Sequence, residues 1–248
     1  MKSVLITGCN RGLGLGLVKC FVRNHLETPK FLLATVRNVD KAEELKSLAR
    51  EHSNIHILEI DLTNFNEYDT FAKKVEEIVK DDGLNVLFNS AGFSPKSTRL
   101  PATKMTDLLD CFNINSVAPV MLTKALLPLL KRASIANSAL PLGPRKACVV
   151  NMSSVLGSIA SNDSGGLYAY RMSKAALNMA TKSMSLDLRD DKIMAVCLHP
   201  GWVRTDMGGS KAPLDVDTST KGMLKVVSEL KPDQNGKFLQ FDGKEIEW

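Results

Sequence analysis

Two hydrophobic patterns alternate along the chain: short unbroken apolar runs, and longer stretches where apolar residues return every three or four positions. The first marks strands buried on both faces; the second marks amphipathic helices. Strands are predicted at 4–7, Phe31–Val36, 55–60, 85–88, Cys148–Met152, 193–198 and Phe238–Gln240. Helices are predicted at 13–26, from Asp40 to about Arg50, around Phe71, Val75, Ile78 and Val79, over about 104–131 as two segments, and at 168–189 and 217–230. Asp40 fits an N-cap, with Glu43 as its capping-box partner. Asp81-Asp82-Gly83 stops the third helix. Pro119 suits a first helical turn, whereas Pro128 predicts a bend. The stretch 134–145, with Pro141, Gly143 and Pro144, reads as a surface loop.

Repeated strand–helix alternation implies an α/β fold. It predicts a single doubly wound, Rossmann-type parallel sheet of about seven strands with helices on both faces. One domain spanning 1–248 accommodates all of it. Such sheets bind ligands beyond the C-terminal ends of their strands, so chemistry is expected just after each strand.

Composition narrows the function classes. With 248 residues, 44% apolar and 24% charged, the chain can bury a sizeable core and is not disordered. Its net charge of +5 is scattered, with no basic block for nucleic acid or a membrane surface. Five well-separated Cys and four His give neither a disulfide framework nor a zinc site, so no metal is expected. Reduced thiols suit a cytoplasmic protein. The first apolar run is cut short by Gly8, Asn10 and Arg11, unlike a signal peptide. The charge-free stretch 147–162 is broken by Asn151 and several Ser, unlike a membrane span.

The first strand runs into Thr7-Gly8-Cys9-Asn10-Arg11-Gly12-Leu13-Gly14 and then a helix. Glycines let the backbone approach a pyrophosphate, and a helix N-terminus attracts it; tight helix–strand packing would also account for them. After the second strand, where an NAD binder carries an acid, stands Arg37. Arg37 and Arg11 together would suit a ribose 2′-phosphate. Asp40 is the rival acid near this strand end, and its place as a helix cap explains it better. Asp61, after the third strand, could accept from an adenine amino group or cap a turn. Asn89-Ser90-Ala91-Gly92, after the fourth, offers small residues beside a ribose or a plain turn. Tyr170 and Lys174 share a helix face at i,i+4, and a nearby ammonium would lower the phenol pKa. Tyr168 has Met172 at the same spacing and lacks that partner. Ser153-Ser154 follows the fifth strand, where a hydroxyl could polarise a carbonyl. Gly208 and Gly209 could hinge a lid over 206–217. Ala125-Leu126 and Ala175-Ala176-Ala180 could pack against a second copy, and core packing explains them equally well.

Taken in order, Thr7-Gly8-x3-Gly12-x-Gly14, Asp61, Asn89-x-Ala91-Gly92, Asn115, Ser154, Tyr170-x3-Lys174 and Pro200-Gly201 resemble the short-chain dehydrogenase/reductase family over essentially the whole chain. Closer similarity is to the insect sniffer-type carbonyl reductases, carried by His199-Pro200-Gly201-Trp202-Val203-Arg204-Thr205-Asp206-Met207-Gly208-Gly209, by Tyr168-Ala169-Tyr170-Arg171 and by the ending from Phe241-Asp242-Gly243 to Trp248. The resemblance implies a catalytic set of Tyr170 (acid/base), Lys174 (its partner), Ser154 (carbonyl-polarising) and Asn115 (holding a relay water). Asn113 and Ser153 are nearby alternatives. It implies NADP(H), bound by Gly8, Asn10, Arg11, Gly12, Leu13, Gly14, Arg37, Asp61, Leu62, Asn89, Ala91, Gly92, Tyr170, Lys174, Pro200, Gly201, Val203 and Thr205. The implied substrate is a small aldehyde, ketone or quinone. The interval from Ser154 to Tyr170 is longer than in many members, with 162–166 as extra loop. Rival readings are a catalytically silent nucleotide sensor, a reductase of carrier-bound acyl chains, and a Rossmann-like methyltransferase, which predicts an acid where Arg37 stands.

Overall fold

The computed structural model describes residues 1–23, 28–95 and 99–248. Seven strands form one parallel sheet: β1 (Ser3–Ile6), β2 (Phe31–Val36), β3 (Ile55–Glu59), β4 (Val86–Asn89), β5 (Cys148–Met152), β6 (Met194–His199) and β7 (Phe238–Gln240). Their spatial order is β3-β2-β1-β4-β5-β6-β7. Seven α-helices lie between them: α1 (Gly12–Arg23), α2 (Glu43–Glu51), α3 (Tyr68–Val79), α4 (Met105–Phe112), α5 (Ala118–Ala136), α6 (Tyr168–Asp187) and α7 (Val216–Ser228). The expected end of the first helix, residues 24–26, lies outside the described residues.

Strand alternation divides the core into two layers. Val4 and Ile6 of β1 face α1, α2 and α7, packing with Leu17, Phe21, Leu45, Met223 and Val227. Leu5, between them, faces α3 and α5 and packs with Phe71, Val75, Leu122 and Leu126. Leu126 is fully buried, so this part of the small-residue face belongs to the core. The order reverses between β1 and β4, and the crevice at that switch point lies beyond their C-terminal ends.

Three local expectations are corrected. Asp40 does not cap α2: it lies inside a 3-10 turn capped by Asn38, whose Oδ1 accepts from Lys41 N at 3.3 Å, and α2 begins only at Glu43, after Ala42, with no side-chain cap. Residues 105–136 form an uninterrupted helical run, with a π-helical turn at Asn113–Val117 in place of a break. The helix does not end near Lys131: α5 contains Pro128 and runs on to Ala136, with Leu126, Leu129, Leu130 and Ala133 buried. The run is apolar enough to cross a membrane by composition, but half of its most apolar window is buried.

At the opposite end of the sheet, buried Asn85 ties three segments together. Its Oδ1 accepts from Lys2 N, Ser3 N and Ser3 Oγ at 2.9, 3.1 and 3.2 Å. Its Nδ2 donates to the carbonyls of Arg145 and Lys146, each at 3.0 Å. Asn85→Ala would strand several buried backbone groups. The urea unfolding free energy is expected to drop by roughly 2–4 kcal/mol; an unchanged midpoint would remove Asn85 from this role.

Candidate active site

The glycine turn after β1 works by close approach. A Cβ on Gly14 would lie 2.3 Å from Gly8 O, so α1 can start this near the strand only with glycine there. Thr7 adds a contact that sequence reasoning missed. Its Oγ1 accepts from both Ser90 N and Ala91 N at 3.0 Å, locking the loop after β4 to the glycine turn. Asn89 is buried, and its Nδ2 donates to Asn151 Oδ1 at 2.8 Å. Backbone, not the Asn89 amide, therefore faces the crevice.

Arg11 and Arg37 are both exposed at the crevice rim. Arg11 pairs with Asp206 at 2.7 Å, a carboxylate absent from the sequence argument because it comes from the segment after β6. Asp61 has Oδ1 engaged as a turn cap, accepting from Thr63 N at 2.9 Å and Thr63 Oγ1 at 2.7 Å. These bonds, with a smaller contribution from Arg37, hold its carboxyl below the usual range. Leu62 follows it, with its carbonyl accepting from Tyr68 OH at 2.8 Å.

The segment after β6 closes the same rim. Ser219 Oγ donates to Pro200 O at 2.6 Å, and a bridge joins Val203 to Leu214. Thr205 lies over Gly12: a Cβ built on Gly12 would meet its Cγ2 at 3.7 Å. Gly208 packs against the Val203 carbonyl, where a Cβ would collide, and its N–H donates to Thr205 Oγ1 at 3.1 Å. Trp202 Nε1 donates to Gly208 O at 2.8 Å and further ties this segment to itself.

Four proposed catalytic residues converge at the ends of β4 and β5. The π-helical turn buries Asn115 and leaves Asn113 exposed. Such turns insert one extra residue into a helix and often mark functional sites. Asn115 Oδ1 accepts from Phe93 N and its Nδ2 donates to Phe93 O, both at 2.8 Å, so one side chain clamps the loop after β4. Nδ2 also reaches Ser173 Oγ at 3.0 Å, and Ser173 Oγ donates to Tyr170 O at 2.8 Å. Ser173 was not singled out from sequence; its signal was only its place beside Lys174.

The two serines after β5 diverge. Ser153 Oγ donates to Asn178 Oδ1 and turns into α6. Ser154 Oγ accepts from Leu156 N at 3.2 Å and lies close enough to the Tyr170 phenol to offset part of the rise in its pKa. Tyr168 is exposed at the start of α6. Lys174 is buried, donates to Met152 O at 2.7 Å, and has Nζ 5.7 Å from the Tyr170 ring centroid.

Electrostatics reverse one expectation. The Tyr170 phenol is not lowered: burial pushes it up to about 12, and the Ser154 hydrogen bond offsets only part of that. Burial likewise brings the Lys174 ammonium down to about 8. All five cysteines are free. Among the described residues, no group of His, Cys, Asp and Glu could hold a metal ion.

The glycine turn thus lies at the switch point, with the side chains of Ser154, Tyr170 and Lys174 grouped after β5. The short chain dehydrogenase family model matches residues 2–214. The chain belongs to this family of oxidoreductases. Among solved structures, the short-chain dehydrogenase fold seen here is similar to the carbonyl reductase Sniffer of D. melanogaster, at 56% identity and TM-score 0.98 over 100% of both chains. It is also similar to an NADPH-bound carbonyl reductase from chicken fatty liver, at 38% identity and TM-score 0.94 over 100% of this chain and 99% of that one. An uncharacterized oxidoreductase of Schizosaccharomyces pombe is 32% identical, covering 98% of this chain and 96% of the relative.

Proposed function

We propose that this protein is an NADPH-dependent carbonyl reductase, with residues 1–248 working as one nucleotide-binding unit. The observation that carries the reading is the grouping of the Ser154 and Tyr170 hydroxyls, with buried Lys174 5.7 Å from the Tyr170 ring centroid and the glycine turn across the crevice. The chain fits the cofactor: the turn is bare of side chains where a pyrophosphate would approach, and two arginines stand at the rim where a 2′-phosphate would need them. Gly8, Asn10, Gly12, Leu13 and Gly14 would hold the pyrophosphate. Asp61 and Leu62 would lie along the adenine, Asn89, Ala91 and Gly92 along the ribose, and Pro200, Gly201, Val203 and Thr205 along the nicotinamide. Bound NADPH supplies the hydride.

The substrate carbonyl oxygen gains negative charge as it is reduced, and the two hydroxyls are the groups that would receive it. Ser154 donates a hydrogen bond to that oxygen, and Tyr170 donates the proton. A phenol raised to about 12 holds its proton at neutral pH, which suits an acid in the reductive direction. The Lys174 ammonium stabilises the phenolate left behind, and Asn115 fixes the loop against which both sit. The similar chicken and fly proteins, both carbonyl reductases, support a carbonyl compound as substrate, and we take it to be an aldehyde, ketone or quinone. A second copy would cover the exposed Leu109, Phe112, Met172 and Met179 on α4 and α6. Free thiols are compatible with the cytoplasm.

The test is a panel of aldehydes, ketones and quinones with NADPH or NADH, followed at the nicotinamide absorbance across pH. Turnover with NADPH is expected. Lys174 is a base with a lowered pKa, so its charge is present below about pH 8 and lost above it. Reductive kcat/KM should therefore decline above that pH, by about tenfold per unit. No turnover of any carbonyl, with NADPH bound, would overturn the reading.

A further inference from the structure

Arg171 directly follows Tyr170 on α6, and its role is not explained by the chemistry above. Its side chain is 8% exposed, yet among the described residues it forms no ion pair, and its Nε has no partner. An uncompensated buried guanidinium is costly, so what it holds has to matter. Its Nη1 donates to Leu156 O at 3.3 Å, and its Nη2 to Ser164 Oγ at 2.9 Å.

Leu156 is the decisive contact. Its N–H donates to Ser154 Oγ, while its carbonyl is held by Arg171. A short chain of bonds thus runs from the residue beside Tyr170, through Leu156, to the hydroxyl facing Tyr170. The second arm reaches the extra loop. Ser164 is gripped on its hydroxyl by Arg171 and on its carbonyl by Arg99 at 3.3 Å. That loop re-enters α6 through Leu167, a non-glycine residue at φ 50°, and Leu167 O accepts from Arg171 N at 2.9 Å. Left-handed backbone at such a residue persists only where its surroundings impose it.

We propose that Arg171 is a positioning residue: its guanidinium holds the Ser154 turn and the 158–167 loop against α6, setting the Ser154 hydroxyl against the Tyr170 phenol. This rests on the roles given to Ser154 and Tyr170. Lysine would keep the charge but cannot span two acceptors with a planar fork.

The test combines Arg171→Met, Arg171→Lys and Ser164→Ala with Ser154→Ala and Tyr170→Phe, using NADPH and a carbonyl that the unmodified protein reduces. Arg171→Met should lower kcat by about 10–10²-fold, with Arg171→Lys intermediate, because small misplacements of reacting groups carry losses of that order. NADPH affinity should stay within about twofold, since the glycine turn is untouched. In a Ser154→Ala background, Arg171→Met should cause little further loss, because the group it positions is gone. Additive losses, or wild-type kcat in both Arg171 variants, overturn the proposal. If Arg171→Met does not fold, Arg171→Lys carries the same cycle; if neither folds, the residue is structural and the proposal fails. Retained turnover in Tyr170→Phe would instead remove the reading of the site itself.

Discussion

Tyr170→Phe should fold normally, bind NADPH normally and lose about 10²–10⁴-fold in kcat, the usual scale for removing a general acid. The substitution deletes one hydroxyl whose protein partner is Ser154. Ser154 keeps its bond from Leu156 N, so the turn retains its anchor. The Tyr170 backbone carbonyl still accepts from Ser173, so α6 keeps its link to Asn115. Structural loss is thus expected to be small and chemical loss large. Tyr168→Phe is the control: that ring is exposed and outside the cluster, and the change should leave kcat near normal. Steady-state rates on a carbonyl panel, with NADPH titrated by fluorescence, separate the two. Normal turnover in Tyr170→Phe together with loss in Tyr168→Phe would move the acid to Tyr168.

Arg37→Asp should raise KM for NADPH about 10²-fold more than KM for NADH. A charge-assisted contact to a phosphate contributes a few kcal/mol, and each 1.4 kcal/mol is about a factor of ten. Arg37 sits exposed at the end of β2, next to Asp61 and close enough to lower its carboxyl pKa. Aspartate there would repel the 2′-phosphate and, in NADH, could accept from the free 2′-hydroxyl. Arg11 is a weaker probe, because Asp206 already pairs with it and loses a partner in any Arg11 variant. Equal shifts for both cofactors would mean that Arg37 does not meet the 2′-phosphate.

The sheet was legible because parallel strands buried on both faces must be continuous apolar runs, as Val4-Leu5-Ile6 and Cys148-Val149-Val150 are. The strand ends pointed to the glycine turn, Arg37 and Ser154, and the i,i+4 pair on α6 pointed to Tyr170 and Lys174. Less was legible where a single-residue choice decides. Asn38 and Asp40 are both good cap residues, but Asn38 caps a short 3-10 turn that contains Asp40, and α2 starts after Ala42 with no side-chain cap. A π-helical turn keeps nearly the apolar spacing of a regular helix, so the sequence gives no sign of the one at Asn113–Val117. Burial of Tyr170 depends on packing from several elements, which is why its phenol moves opposite to the i,i+4 argument. Asp206 approaches Arg11, and Arg171 approaches Leu156, only across folded loops.

The place of β1 in the sheet also orders the chain's assembly. β1 pairs with β2 on one side and with β4 on the other, and the Ser3–Asn85 bonds close across 82 positions. During synthesis, β1, β2 and β3 can meet early as an open three-stranded edge. Its central face stays uncovered until β4 arrives, and β5 to β7 can extend only from there. Long-range parallel pairing of this kind slows folding and leaves unpaired strand edges exposed meanwhile. Asn85 is therefore a latch that closes with β4: with its bonds to Lys2 and Ser3 made, the first strand is no longer free to pair elsewhere.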